Sequence, residues 1–217
     1  MVDPDPTGSA PQENLYPVTL DVSGRHCLVV GGGAVAARKA AGLLQCGALV
    51  TLVAPTLSEE TEALAPRLHA VERRPYAPGE AAHYRLVITA TGVPQVDAAV
   101  FDDADAADVW VNSADDREHC SFILPAVHRD GPVTVAVSTS GRSPALASWL
   151  RTRLAGHAAG AGDLADLLGD ARARLVATGV ASDAVSWAQL LDGPLPELVA
   201  AGDLDNARAI VDAAVSQ

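Results

Sequence analysis

The sequence predicts an α/β fold in which a doubly wound parallel sheet is followed by a β-hairpin region and a small helical C-terminal module. Three features lead to this prediction. Short apolar runs alternate with helical segments over residues 15–115, a cluster of three glycines follows the first run, and two β-rich runs surround a turn within residues 121–139. Strands that alternate with helices of this length form βαβ units with a parallel sheet.

The apolar runs give the expected elements in chain order. The run at 27–30 ends in glycines, as a buried parallel strand does, and a helical segment follows it up to Gly47. Ser58 is expected to cap a helix that carries Glu59 and Glu60 in its first turn. The other expected elements of this region are strands at 48–54, 69–74, 85–91 and 108–114 and a helix at 94–104.

After residue 120 the pattern changes. Arg129-Asp130-Gly131 joins two β-rich runs and suits a hairpin, which is not a parallel crossover. Ser143 then caps a predicted amphipathic helix that has Pro144 at its first position. We therefore divide the chain into a disordered leader at 1–14, a sheet domain at 15–115, a hairpin and helix region at 116–155, and a helical module at 156–217.

Composition excludes several classes of protein. The net charge is −12, whereas general nucleic-acid binders usually carry a basic face. The three cysteines are scattered, and no Cys or His spacing suited to a metal site is present. The first residues do not read as a signal peptide, and no apolar run reaches the roughly 20 residues of a membrane helix. We expect a cytoplasmic protein that binds neither nucleic acid nor membrane and holds no metal.

The glycine cluster has the spacing of a dinucleotide-binding loop. Gly31-x-Gly33-x-x-Ala36 follows a predicted strand and opens a predicted helix. In this motif the first glycine makes the tight turn, the second lets the backbone approach a pyrophosphate, and the small third residue lets helix and strand pack closely. The phosphates meet unpaired N–H groups at the positive end of the helix. The spacing therefore predicts a Rossmann-type, dinucleotide-binding domain over residues 15–115.

One part of the usual dinucleotide site is missing from the sequence. An acidic residue about 20 positions after the glycines normally holds the adenosine ribose. Residues 53–56 read Val-Ala-Pro-Thr, so neither an acid nor an arginine stands there. The residues alone therefore leave NAD and NADP open, and ribose contacts are expected from backbone groups or from Thr56.

A polar stretch follows the last predicted strand of the sheet domain. It contains Asn112, Asp115, Asp116, Arg117, Glu118 and His119. Ligands of open α/β sheets bind at the carboxyl ends of the strands. A carboxylate there can act as a general base or position a carbon that loses a proton. A polar loop with a capping aspartate is the other interpretation.

Four segments in this order resemble one known family. They are YPVTLDVSGRHCLVVGGGAVAARKAAGLLQCGALVTLVAP, VITAT, VNSADDREHCSFILPAV and VTVAVSTSGRSPALASWLRTRL, and they run from Tyr16 to Leu154. The STSGRSPALA segment and the F-I-x-P-A pattern after the acidic loop are not general features of dinucleotide-binding domains. The chain therefore resembles the precorrin-2 dehydrogenase and sirohydrochlorin ferrochelatase family, which includes the N-terminal region of siroheme synthase.

The resemblance implies an activity and an assembly. Members oxidise precorrin-2 to sirohydrochlorin with NAD, and some also insert ferrous iron, for which the tetrapyrrole nitrogens are the ligands. They form homodimers through the strands and helices after the nucleotide domain, with the active site in a cleft at the junction. Residues 116–155 would be this dimerisation and active-site region. The methyltransferase domain of siroheme synthase is not expected in this chain, which would then depend on another protein for precorrin-2.

The resemblance also places the site residues. Asp115 would be the catalytic residue that assists proton loss. The NAD site would comprise the glycine loop and the ends of the second and fourth strands, namely Gly31, Gly32, Gly33, Ala34, Val35, Pro55, Thr56, Thr89, Ala90 and Thr91. The carboxylates of precorrin-2 would be bound by Asn112, Arg117, His119 and Arg142, since arginine suits bidentate carboxylate binding.

The chain departs from the family pattern at two positions near the cofactor. Gly92 stands where the family usually has the aspartate of A-T-D, and Asp97 stands where an asparagine is often found. Two other functions stay open. One is a metallochelatase acting mainly on sirohydrochlorin, which the change at Gly92 favours. The other is a non-catalytic protein that binds NAD or a tetrapyrrole, against which Asp115 and the arginines argue.

Overall fold

The computed structural model describes residues 15–114, 116–181 and 185–216, and the chain divides into two units at the bond between Leu124 and Pro125. The strands of the first unit are β1 (His26–Val30), β2 (Leu49–Val53), β3 (Ala70–Glu72), β4 (Leu86–Thr89) and β5 (Trp110–Ser113). They form a parallel sheet in the order β3-β2-β1-β4-β5. Because the order reverses between β1 and β4, the predicted doubly wound, Rossmann-type sheet is confirmed.

Helices cover both faces of this sheet. α1 (Ala34–Gln45) and α2 (Glu59–Leu64) pack on one face, and α3 (Pro94–Ala106) packs on the other. Val29 of β1 points to the first face and Leu28 to the second, and both are fully buried. Burial on both faces explains why β1 reads as a continuous apolar run rather than an alternating one.

The ends of several elements differ from the prediction. The strand expected at 69–74 covers only three residues, because it pairs with β2 alone and β2 ends at Val53, opposite Glu72. Arg73, the next residue, donates two hydrogen bonds of 2.6 and 2.8 Å to Glu62. The helix that begins at Pro94 continues two residues beyond the expected end. The predicted cap at Ser58 is confirmed, since its Oγ accepts from the Thr61 amide at 3.4 Å. Two short 3-10 helices complete the unit, Ala65–Arg67 and Glu80–His83.

The second unit combines a hairpin with helices. The predicted hairpin is confirmed, with antiparallel strands β6 (Ala126–Asp130) and β7 (Val133–Val137). The helix α4 (Pro144–His157) packs on the hairpin, and the Ser143 side chain accepts from the Leu146 amide at 3.2 Å, as the predicted cap requires. The remaining helices are α5 (Ala161–Ala177), α6 (Trp187–Leu191), α7 (Leu195–Ala200) and α8 (Leu204–Val215).

The helical part of this unit has its own core and a close contact with the hairpin. Leu195, Val199 and Val211 are buried together between α5, α7 and α8. At the hairpin turn, the Asp130 carboxylate accepts from the Gly162 amide at 3.3 Å. The start of α5 is therefore fixed on the turn, where an anion also complements the positive helix end. No helix in the described ranges is long and apolar enough to cross a membrane.

Candidate active site

Gly31 brings the ends of β1 and β4 together. Its φ of +128° lies in the region that favours glycine, and its amide donates to the Val53 carbonyl at 2.9 Å. A Cβ at this position would overlap the carbonyl oxygen of Ala90 and lie 3.3 Å from the Thr91 nitrogen. The residue is therefore glycine because the two strand ends touch at the point where the strand order reverses.

Gly32 and Gly33 meet different surroundings. A Cβ on Gly32 would overlap the carbonyl oxygen of Thr56 and lie 3.0 Å from the Ala54 side chain, so this residue packs directly on the chain after β2. Gly33 is exposed, and a Cβ there would meet nothing within 4 Å. The loop is thus closely packed on its inner side and open at the start of α1.

The start of α1 fits a bound pyrophosphate. Its N-cap is Gly33, which has no side chain to occupy the helix end, and no acidic residue stands in the first turn. Ala34 is exposed, Val35 is half-buried, and Ala36 is fully buried against β1. Among the described residues, no side chain of α1 or its N-cap neutralises the positive helix end, which is the arrangement that binds phosphate in this motif.

The end of β2 lies beside the glycine loop. Pro55 and Thr56 are exposed, and Ala54 before them is buried. This edge offers backbone groups and the Thr56 hydroxyl, and their contact with a ribose stays a prediction. The residues present therefore fit a dinucleotide at both the pyrophosphate and the ribose, although no carboxylate follows β2.

The end of β4 is held by a buried carboxylate. Asp97, in the first turn of α3 and 9% exposed, accepts hydrogen bonds at Oδ1 from the Thr89 hydroxyl, the Thr91 amide at 3.2 Å and the Thr91 hydroxyl at 2.8 Å. The Thr89 side chain therefore faces α3, and Thr91 is half-buried at the edge of the sheet. Sequence reasoning noted Asp97 only as a departure from the family and missed this role.

The acidic loop follows β5 and lies on the end of β4. The Ala114 amide donates to the Thr89 carbonyl at 2.8 Å, and the Ser113 amide donates to the His119 carbonyl at 3.2 Å. Asp115, the predicted catalytic residue, lies outside the described residues. Its role stays a prediction, and the described neighbours place the surrounding loop at the edge where the glycine loop also stands.

Cys120 and Asn112 close this loop. The Cys120 sulfur accepts from the Ser113 amide at 3.2 Å, and its thiol lies 3.1 Å from the carbonyl oxygen of Asp116. Burial raises the pKa of Cys120, so the group stays a thiol near neutral pH. The Asn112 amide donates to the Phe122 carbonyl at 3.0 Å and is 6% exposed. Asn112 therefore supports the loop, and its contact with substrate stays a prediction.

His119 forms a charged pair with Asp116. The Nδ1 and Oδ2 atoms are 2.6 Å apart, and the His119 ring meets the Phe101 ring edge-on with centroids 5.0 Å apart. The hydrogen bond with Asp116 raises the pKa of His119, and the same bond lowers the pKa of Asp116. His119 therefore carries positive charge up to a higher pH than an isolated histidine does, which favours anionic ligands.

The two predicted arginine contacts lie in different units. Arg117 is exposed in the acidic loop of the first unit. Arg142 is exposed in the second unit, before α4, and its amide donates to the Thr139 carbonyl at 3.0 Å. Binding of substrate carboxylates by these residues stays a prediction.

Ser113 is a further candidate site residue, which the sequence analysis did not name. It ends β5 beside Thr89, is 3% exposed, and its Oγ has no hydrogen-bond partner among the residues that the structure describes. A buried hydroxyl in this condition is suited to a water or a ligand polar group. In the described part of the chain, no group of three or more His, Cys, Asp or Glu residues is placed to hold a metal ion.

Two family models match the chain. The family described as "Putative NAD(P)-binding" matches residues 18–126, which is about half of the chain. The chain belongs to this NAD(P)-binding family. The predicted dinucleotide-binding domain is thereby confirmed, because the glycine loop lies within the matched residues. A second family, described as "Sirohaem biosynthesis protein central", matches residues 130–157, which include β7 and α4.

Siroheme synthases of several bacteria are similar to this member of the NAD(P)-binding family. The one from Hydrogenovibrio crunogenus is 38% identical over 92% of the chain, and the one from Chromobacterium violaceum is 40% identical over 90%. The chain spans less than half of these relatives, 44% and 42% of their lengths. The resemblance to siroheme synthase predicted from the sequence is confirmed by these relatives.

A solved structure has the same fold. SirC, a precorrin-2 dehydrogenase, matches 93% of this chain and 99% of its own chain with a TM-score of 0.72 and 24% sequence identity. At this identity the match shows the fold, a parallel sheet domain followed by a hairpin and helices, and the fold class predicted from the sequence is confirmed.

Proposed function

We propose that this protein oxidises precorrin-2 to sirohydrochlorin with NAD as the hydride acceptor, as a step of siroheme biosynthesis. The observation that carries the proposal is the contact between Gly31 and Ala90, which brings the open glycine loop to the end of β4 and to the loop that follows β5. A dinucleotide on the glycine loop would therefore end beside the loop that contains Asp115. Similarity to siroheme synthases supports the choice of substrate.

Each group of predicted residues has a part in this reaction. The first turn of α1 holds the pyrophosphate, and Pro55 and Thr56 meet the adenosine ribose. Ala90 and Thr91 form the wall against which the nicotinamide is oriented, and Asp97 fixes Thr91. NAD, when bound, supplies the hydride acceptor, and Asp115 takes the proton that the macrocycle loses.

The carboxylates of precorrin-2 need cationic and polar partners. His119, with its pKa raised by Asp116, and the exposed Arg117 supply two of them in the first unit. Asn112 and Arg142 are the other predicted contacts. Ferrous iron is a substrate of the second activity found in some members of the resembling family, and its ligands would be the tetrapyrrole nitrogens. A cytoplasmic location stays a prediction.

We propose further that the protein is a homodimer. The surface of α4 supports this, because Leu146, Trp149 and Leu154 are 46%, 55% and 42% exposed on one helix. Several large apolar side chains exposed on one helix mark an interaction surface. The predicted occupant is a second copy of the same helix region.

The first test is an anaerobic assay. Purified protein is mixed with enzymatically generated precorrin-2 and NAD, and NADH absorbance and the sirohydrochlorin spectrum are followed before ferrous iron is added. We expect NADH and sirohydrochlorin in equal amounts. Siroheme formation faster than in a protein-free control would add the chelatase activity. Iron insertion into sirohydrochlorin without NADH formation would instead identify a metallochelatase, and NAD or tetrapyrrole binding without turnover would identify a binding protein.

Asp115→Asn tests the catalytic assignment. We expect the rate of precorrin-2 oxidation to fall by roughly 100-fold or more, because the amide cannot accept the proton. The NAD dissociation constant should stay unchanged. Glu118→Gln is the matched control, since it removes an exposed carboxylate of the same loop. An Asp115→Asn enzyme with wild-type turnover would remove Asp115 from the mechanism.

A further inference from the structure

A hydroxyl outside the glycine loop holds that loop in place. Thr61 lies in α2 and is fully buried. Its Oγ1 donates to the carbonyl oxygen of Gly32 at 2.8 Å and lies 3.4 Å from that of Gly33, although these residues are 29 and 28 positions away in the chain. A buried threonine of a short helix thus hydrogen-bonds to the backbone of the candidate cofactor site.

Ser58 holds the same carbonyl and places Thr61. The Ser58 amide donates to the Gly32 oxygen at 2.7 Å. The Ser58 Oγ caps α2 by accepting from the Thr61 amide at 3.4 Å, and it lies 3.2 Å from the Thr61 Oγ1. Ser58, Thr61 and the Gly32 carbonyl together are called the loop clamp below.

The clamp sets the direction of one peptide group. The bond between Gly32 and Gly33 is trans and planar, so its C=O and N–H point in opposite directions. Because the C=O points at buried Thr61, the N–H of Gly33 points away from it, and Gly33 itself is exposed. A phosphate at the start of α1 is attracted by backbone N–H groups and repelled by carbonyl oxygens. The direction of this peptide therefore decides whether the loop presents a donor or an acceptor.

We propose that Thr61 is a positioning residue for the pyrophosphate of the dinucleotide, acting by holding the Gly32–Gly33 peptide with its N–H toward the phosphate. This inference rests on the NAD site of the proposed function. Thr61 is fully buried and bonds to the loop's carbonyl groups, so its effect is on cofactor binding and not on the reacting atoms. Without its hydroxyl, the Gly32 carbonyl keeps the Ser58 amide as a donor, and the peptide loses one of the two bonds that hold it.

The test is a direct measurement of NAD binding by calorimetry on the full chain. Thr61→Val keeps the side-chain shape and removes the hydroxyl, and Thr61→Ala is a second hydroxyl-free variant in case the first unfolds. We expect about tenfold weaker NAD binding, the size of effect that follows loss of one hydrogen bond at a buried partner. Thr61→Ser keeps the hydroxyl and should bind NAD within about twofold of wild type.

Two controls separate the clamp from general damage to α2. Ser58→Ala removes the side-chain cap of α2 but keeps the Ser58 amide bond to Gly32 and the Thr61 hydroxyl, so the melting temperature should fall while NAD binding weakens less than in Thr61→Val. Thr51→Val removes another buried threonine hydroxyl, in β2, and should leave NAD binding unchanged. Equal loss of NAD affinity in Ser58→Ala and Thr61→Val would overturn the inference, as would wild-type affinity in both hydroxyl-free variants.

The outcome for the clamp can be told apart from the outcome for the proposed function. A wild-type protein that binds NAD and does not oxidise precorrin-2 would overturn the proposed function, while the Thr61 series would still decide the clamp. A wild-type protein that oxidises precorrin-2, with Thr61→Val equally active at limiting NAD, would overturn the clamp alone. A positioning role requires that Thr61→Val raise KM for NAD with little change in kcat.

Discussion

At the scale of single residues, the pair formed by Asp116 and His119 controls a charge beside the candidate site. The hydrogen bond between them raises the pKa of His119 and lowers the pKa of Asp116. The stabilisation from His119 is complete below the ordinary histidine pKa of about 6.5 and is lost as the pH rises through the raised value. The stabilisation from Asp116 is lost as the pH falls through its lowered pKa.

This pair gives a pH dependence that can be measured. If His119 binds a substrate carboxylate, KM for precorrin-2 should rise as the pH increases above about 6.5 and the imidazolium loses its proton. Asp116→Asn removes the largest cause of the raised pKa of His119, so the same rise in KM should occur at lower pH. KM profiles between acid and mildly basic pH, with an NMR titration of His119, measure both midpoints. An unchanged midpoint in Asp116→Asn would show that Asp116 does not control the protonation of His119. His119→Gln should give a KM profile without this rise.

Residues in local motifs could be predicted, and residues that act across long sequence separations could not. Gly31, Gly33 and Ala36 follow a spacing whose physical reasons are local, and the structure gives them the expected surroundings. Thr61 and Asp97 are ordinary helix residues in the sequence. Their roles depend on α2 and α3 packing against strand ends that are distant in the chain, which no local pattern reports.

At the scale of elements, the sequence predicted the order and type of the strands because both faces of the sheet are covered and apolar runs are short and separate. The predicted ends were less accurate at β3, an edge strand that pairs only with β2 and stops where β2 ends. The hairpin was predicted from two β-rich runs joined by Arg129-Asp130-Gly131, and in the structure Gly131 takes a φ of +51°, which favours glycine. The attachment of that turn to α5 had no local signal.

The contact between the hairpin turn and α5 predicts opposite effects of two glycine substitutions in one helix. A Cβ on Gly162 would lie 2.8 Å from the Asp130 carbonyl oxygen and 3.0 Å from the Gly131 nitrogen, both of them backbone atoms. Gly162→Ala should therefore lower the free energy of unfolding by about 1–3 kcal/mol. Gly169 is exposed, with nothing within 4 Å of an added Cβ, so Gly169→Ala should raise it by about 0.5–1 kcal/mol.

Urea unfolding followed by circular dichroism measures both changes in the same helix. The pair is informative because both substitutions add one methyl group to α5 and only the one at Gly162 meets the backbone of the hairpin turn. A Gly162→Ala protein as stable as Gly169→Ala would show that α5 and the hairpin do not need their close approach.

At the scale of the whole molecule, the first unit contains the predicted cofactor-binding residues, and the second unit contains the surface proposed to form the homodimer. The hairpin and α4 were assigned to dimerisation only through the family resemblance. The sequence of an apolar helix does not show whether its apolar residues are covered by the same chain or by a second copy. In the structure Trp149 is 55% exposed and carries the Arg153 guanidinium 4.9 Å from its ring centroid. Cation–π pairs of this kind leave one ring face available to a partner.

Trp149→Glu tests whether α4 joins two chains. A carboxylate at the centre of an apolar interface has no partner and must be desolvated, so we expect the dimer to dissociate. Light scattering after gel filtration should then give the mass of one chain instead of two. Val176→Glu is the matched control, because Val176 is 62% exposed on α5 and lies outside the α4 surface. NAD binding, which uses the first unit, should persist in the Trp149→Glu monomer while precorrin-2 oxidation falls, because the proposed active site lies at the junction of two chains. A wild-type monomer, or a Trp149→Glu dimer with full activity, would contradict this assembly and require a substrate site built by one chain.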